Sequence, residues 1–93
     1  MVAMAMLVVK VMPEGVETDM DKLKADCEAK ITEVYGDVGE IRVKEVPLAF
    51  GLKFFELTFI MTESLGGDII EEKIAEIEGV ASAQVIDFRR TLG

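Results

Sequence analysis

The stretch KEVPLAFGLKFF, Lys44–Phe55, lies at the middle of the chain and decides how the rest is arranged. A strand-like run ends at Pro47, and a long aromatic run begins after Gly51. Proline interrupts a hydrogen-bonded ladder and glycine takes the backbone angles of tight turns, so the two residues bracket a turn. The preceding EIRVKEV alternates, with Ile41 and Val43 on one face and Arg42 and Lys44 on the other, as a half-buried strand does. The following LKFFELTFIM offers Phe55, Leu57, Phe59 and Met61 on one face and Phe54, Glu56, Thr58 and Ile60 on the other. Both of its faces are partly apolar, so alternation leaves this register open. Together the runs read as a hairpin. Its tip is unusual, because Phe50 stands between Ala49 and Gly51, where a small polar turn residue is expected. By residue type alone, the ring is expected to fold back over the sheet edge. A ring facing a partner is the alternative.

Towards the N-terminus, AMLVVKV over Ala5–Val11 reads as a strand with Leu7, Val9 and Val11 on one face, closed by Pro13, Glu14 and Gly15. Next, TDMDKLKADCEAKITEVYG sets Met20, Leu23, Cys27, Ile31 and Val34 at spacings of 3, 4, 4 and 3, one stripe of a helix. Thr18 with Asp21 matches a capping box, and Gly36 fits the stop. Cys27 lies inside the stripe, so a buried, inert thiol is expected. Beyond the hairpin, GGDIIEEKIAEIEG reads as a second helix with Asp68 as N-cap, Ile70, Ile74 and Ile77 as the stripe, and Gly79 as the stop. Glu71, Glu72, Glu76 and Glu78 read as its solvated face. VASAQVIDF, ending at Phe88, is the last strand.

The order strand, helix, strand, strand, helix, strand contains two crossovers joined by the hairpin. That pattern predicts an α+β, ferredoxin-like βαββαβ sandwich over residues 1–93 as a single domain, with both helices on one face of a four-stranded antiparallel sheet. No repeat, linker or low-complexity segment interrupts it. Met6, Val8, Arg42, Lys44, Ile86 and Phe88 are expected on the opposite, open face, which is apolar enough to suggest a covering partner or self-association. An ordinary mixed surface is an equal alternative.

Composition narrows the chemistry. With 51% hydrophobic and 30% charged residues among 93, the chain reads as an ordinary soluble domain. Its 18 acids against 10 bases give a charge of -8, which opposes direct nucleic-acid binding. The opening MVAMAMLVVKVM has no basic lead, and Lys10 interrupts its apolar run. No run reaches the roughly 18 apolar residues of a membrane span, so a cytoplasmic protein is expected. One cysteine, no histidine and no asparagine remove disulfides, histidine-dependent triads and imidazole metal sites. A paired-thiol metal chaperone and an asparagine-dependent acylphosphatase site are removed as well. Neither an enzyme nor a cofactor or bound metal is expected.

VKEVPLAFGLKFFELTF, followed at the end by IEGVASAQVIDFRR and preceded by VKVMPEG, resembles the translation elongation factor 1-beta family in its short archaeal form. The resemblance spans essentially the whole chain, and the hairpin and the IEGV turn are its most specific parts. It implies a guanine-nucleotide exchange factor for the elongation factor 1-alpha GTPase, with no covalent chemistry of its own. Phe50, flanked by Ala49 and Gly51, matches the aromatic that in the family enters a pocket of the GTPase. Phe88, Arg89 and Arg90 match the C-terminal end, where a basic side chain approaches the magnesium and phosphate region. Arg90 falls where eukaryotic members carry a lysine, and either Arg89 or Arg90 would take its role. Thr91, Leu92 and Gly93 extend past the usual end. A monomer is expected. The competing reading is a ferredoxin-like regulatory module that dimerises through the open sheet face and binds a small ligand.

Overall fold

A computed structural model describes residues 4–36, 38–62 and 66–91. Its elements are β1 (Met4–Pro13), α1 (Met20–Tyr35), β2 (Arg42–Pro47), β3 (Lys53–Thr62), α2 (Asp68–Ala75) and β4 (Val80–Thr91). A short 3-10 turn, Ala49–Gly51, joins β2 to β3. The strands form one sheet in the order β2-β3-β1-β4 with every neighbouring pair antiparallel. The ferredoxin-like expectation is what the chain adopts.

Strict alternation on β1 supplies the centre of the core. Ala5, Leu7, Val9 and Val11 are fully buried, while the residues between them are half-exposed. Cross-strand partners share a face, so the pairing of Leu7 with Phe59, Val9 with Leu57 and Val11 with Phe55 settles the register of β3. Phe55, Leu57, Phe59 and Met61 are its inward set. Against them lie Leu23, Cys27 and Ile31 of α1 and Ile70 and Ile74 of α2, each buried aliphatic or aromatic side chain worth about 2 kcal/mol of transfer free energy.

Helix ends differ from the sequence expectation in detail. Asp19, not Thr18, caps α1, its Oδ1 accepting the Lys22 N–H at 3.2 Å. Thr18 Oγ1 instead accepts the Gly15 N–H at 3.3 Å and folds the preceding turn. Asp68 is the first helical residue of α2 rather than its cap, which is Gly67. A side chain at position 67 would press to 3.2 Å from Leu7 Cδ1 and 3.6 Å from Val85 Cγ2. The missing Cβ therefore lets α2 settle onto β1 and β4. The helix ends at Ala75, and Gly79, at φ +98, turns the chain into β4 while its carbonyl accepts the Glu14 N–H at 2.9 Å.

Candidate partner-binding site

At the hairpin tip, the Leu48 N–H donates to the Leu52 carbonyl at 2.7 Å and the Leu52 N–H to the Ala49 carbonyl at 3.3 Å. The three residues enclosed must reverse the chain, and two do so in the left-handed region: Phe50 at φ 63, ψ 29, and Gly51 at φ 78. Glycine does this freely, whereas a side chain with a Cβ loses about 1 kcal/mol or more. The Phe50 ring is 95% exposed. It does not fold back over the sheet edge, as residue type alone suggested, because the left-handed backbone carries it off the end of the sheet.

Two further apolar groups gather there. Leu48 is partly exposed, and Val16, in the turn between β1 and α1, is 63% exposed. A side chain at Gly51 would begin 3.8 Å from Val16 Cγ1, so this turn touches the hairpin. Val16 escaped notice in the sequence, although it is an isolated aliphatic residue between Gly15 and Glu17 in an otherwise polar turn.

The other matched segment also differs from expectation. β4 continues past Phe88, where the sequence placed its end, to Thr91, so Arg89 and Arg90 are exposed strand residues paired with Met6 and Ala5. Thr91 Oγ1 donates to the Met4 carbonyl at 3.2 Å and fastens this end. Leu92 and Gly93 lie outside the described residues. Between Val8 and Val9 the register skips Ile86, a β-bulge. Side-chain facing is offset by one from there on. Phe88 is consequently paired with Leu7 and falls on the helix side of the sheet, correcting its expected place beside Ile86 on the open face. Arg89 shares the open face with Met6, and Arg90 the helix side with Ala5. Arg89 Nε lies 3.0 Å from Asp87 Oδ2.

The two segments are not brought together. Ala5 pairs with both Met61 and Arg90, and Met61 lies eight residue steps along β3 from the hairpin base at Lys53, about 26 Å of strand. In a molecule 46 Å long, the Ala49–Phe50–Gly51 tip and the Phe88–Arg89–Arg90 segment sit towards opposite ends. Between them runs the open face, where Arg42, Lys44, Lys10 and Arg89 outnumber Glu56 and Asp87. Lys10 Nζ stands 4.5 Å from the Phe54 ring centroid. A cleft of about 270 Å³ lined by Met6, Arg42, Thr58 and Ile60, among others, opens on this face, below the roughly 300 Å³ at which small-molecule pockets begin.

The one cysteine of the chain lies in the apolar stripe of α1. The Cys27 thiol is fully buried and pushed up to about 12 by burial, with Asp26 and Glu28 adding to the effect. Among the described residues no group of three or more potential ligands could hold a metal ion. Glu71 departs from the solvated face assigned to it: its Oε2 accepts the Val85 N–H at 2.6 Å.

With an exposed hairpin aromatic at one end and a pair of strand-borne arginines at the other, the chain is a ferredoxin-like α+β domain. The match to known families gives the particular one. Residues 6–91 match the EF-1 guanine nucleotide exchange domain, and the chain belongs to that family. It is 40% identical over 87 residues to Elongation factor 1-beta of Metallosphaera sedula, covering 91% of this chain and 92% of that protein. Over 86 residues it is 37% identical to Elongation factor 1-beta of Methanosarcina barkeri, covering 88% and 91%. Elongation factor 1-beta of Methanococcoides burtonii is 40% identical over 85 residues, 87% of this chain and 89% of that one.

Proposed function

We propose that the protein, as one exchange domain over residues 1–93, speeds replacement of GDP by GTP on the elongation factor 1-alpha GTPase of its own cell. This is cytoplasmic work that readies the GTPase for aminoacyl-tRNA. The observation that carries the reading is Phe50. An aromatic ring held in left-handed backbone and almost wholly in water gives the isolated fold nothing, and such strain persists where a binding event uses it. Membership of the exchange-domain family supports reading that event as contact with the GTPase.

The physics asks for no bond to be made or broken. The GTPase holds GDP through phosphate contacts and a magnesium ion. A partner that binds the nucleotide-free form better weakens GDP by the same factor by which GDP weakens the partner. Each tenfold gain in release needs about 1.4 kcal/mol of preference for the opened state. Phe50, with Ala49 and Gly51 shaping its turn and Leu48 and Val16 beside it, would seat in an apolar pocket of the GTPase, and a buried aromatic anchor contributes on the order of 2 kcal/mol. At the far end, Arg89 or Arg90, steadied by Phe88, would bring positive charge against the magnesium and phosphate site.

Release of a fluorescent GDP from the GTPase tests this directly. The intact protein is expected to accelerate release, and Phe50→Ala to lose most of the effect while remaining folded. Acceleration that survives Phe50→Ala would remove the ring from the mechanism. No acceleration at any concentration would overturn the exchange reading and turn attention to the exposed Ile60 and Ile86 of the open face.

A further inference from the structure

We propose that Glu71 is a positioning residue: it holds the bulge in β4 that assigns Arg89 and Arg90 to opposite faces of the sheet, and through them it sets how the basic end meets the GTPase. The inference rests on the exchange reading above and adds to it a residue in neither matched segment.

Ile86 is the extra residue of the bulge, since Val9 pairs with Val85 and Val8 with Asp87. Side chains alternate along a strand, so removing one residue would exchange the faces of everything beyond it. Without the bulge, Arg89 would turn to the helix side and Arg90 to the open face. The bulge is therefore a switch of address for both arginines, and it lies only three residues before the first.

A bulge leaves its extra residue unpaired and its ladder locally disrupted, and the residue just before the extra one is held from outside the sheet. Here the Val85 N–H donates to Glu71 Oε2 at 2.6 Å, a charge-assisted bond of the stronger kind. The sequence builds the reach from α2 in two steps. Gly67 lets the first turn lie against Leu7 and Val85. Ile70 and Ile74 are fully buried and fix the rotation of α2, so Glu71, one residue past Ile70, is turned to the β4 edge. Because β4 is an edge strand, no further strand could hold this N–H. Asp68, Glu72, Glu76 and Glu78, the other acids of this segment, are exposed, and the acceptor for the Val85 N–H is Glu71.

The experiment titrates intact protein, Glu71→Ala and Glu71→Gln against the nucleotide-free GTPase, reading affinity and fluorescent GDP release. The same substitutions are repeated on an Arg89→Ala/Arg90→Ala background, with thermal melts and amide exchange at Val85 in each. Glutamine keeps a carbonyl oxygen for the Val85 N–H, so Glu71→Gln is expected within about twofold of intact protein, and Glu71→Ala to weaken affinity about fivefold, the scale of one lost hydrogen bond. On the Arg89→Ala/Arg90→Ala background the Glu71→Ala loss is expected to vanish, because a residue that works through another has nothing left to position. A loss of the same size on both backgrounds, or none on either, overturns the positioning role while leaving exchange standing. Intact protein that fails to accelerate release overturns the exchange reading and this role with it.

Discussion

Phe50 combines a left-handed backbone with a ring 95% in water, and both features disfavour a phenylalanine on stability grounds. Asparagine tolerates the same backbone far better. Phe50→Asn is therefore expected to leave stability unchanged or raise it by up to about 1 kcal/mol, with GDP-release acceleration falling at least tenfold, as loss of a binding hot spot does. A melting curve and a release assay on the same sample separate the two effects, and a large loss of stability would contradict the strain argument. Phe55, five residues on and fully buried, should behave in the opposite way, Phe55→Ala lowering stability by about 3–5 kcal/mol. Cys27 carries a pH prediction. Burial holds its thiol near 12, while an exposed cysteine titrates at about 8.5. Above about pH 9 the unfolded chain releases this proton and the folded chain keeps it, so stability is full below that pH and falls as pH rises towards 12. The Tyr35 hydroxyl, also held up to about 12, by burial and Asp68, adds to the fall from about pH 10. Cys27→Ala should flatten the earlier part of the decline in melting temperature, and an unchanged slope between pH 9 and 10 would refute the assignment.

Elements were legible in the sequence where one signal dominated. The stripe of α1 and the alternation of β1 each left a single way to bury apolar groups, and those residues form the core, with Met20 and Val34 partly buried against it. β3 was ambiguous alone because Phe54 and Ile60 lie on its outer face, and only pairing with β1 settled it. The end of β4 was misjudged for a different reason. Bulges have no composition signal, so Ile86 read as an ordinary member of the alternation and drew Phe88 onto the wrong face. Contacts between distant elements, such as Glu71 with Val85 and Val16 with Gly51, leave no local trace at all. Caps lie between these extremes, since Thr18 and Asp19 are both good candidates by type and only the bond from Lys22 to Asp19 distinguishes them. Asp19→Ala is accordingly expected to cost about 1 kcal/mol of stability by chemical denaturation. Thr18→Ala, which removes only an acceptor for the Gly15 N–H, should cost less, and the reverse order would return the cap to Thr18.

At the scale of the whole molecule, the sheet acts as a ruler. β1 and β3 set the hairpin tip and the two arginines more than 20 Å apart by rise per residue alone, too far for one pocket of the GTPase to receive both. On the exchange reading proposed above, two separate contacts follow, each with its own share of the binding free energy. Substitutions more than about 10 Å apart that share no partner add in free energy, so the affinity loss of Phe50→Ala should multiply that of Arg89→Ala/Arg90→Ala in the triple variant, to within about twofold. Salt should separate them further, because charge contacts at exposed positions are screened at physiological ionic strength and apolar ones are not. Raising salt is expected to shrink the loss from the arginine pair while leaving that from Phe50→Ala in place. A triple variant no weaker than the poorer of its parents would mean that the two ends serve one coupled step, and that the length of the sheet transmits a movement between them instead of merely spanning two pockets.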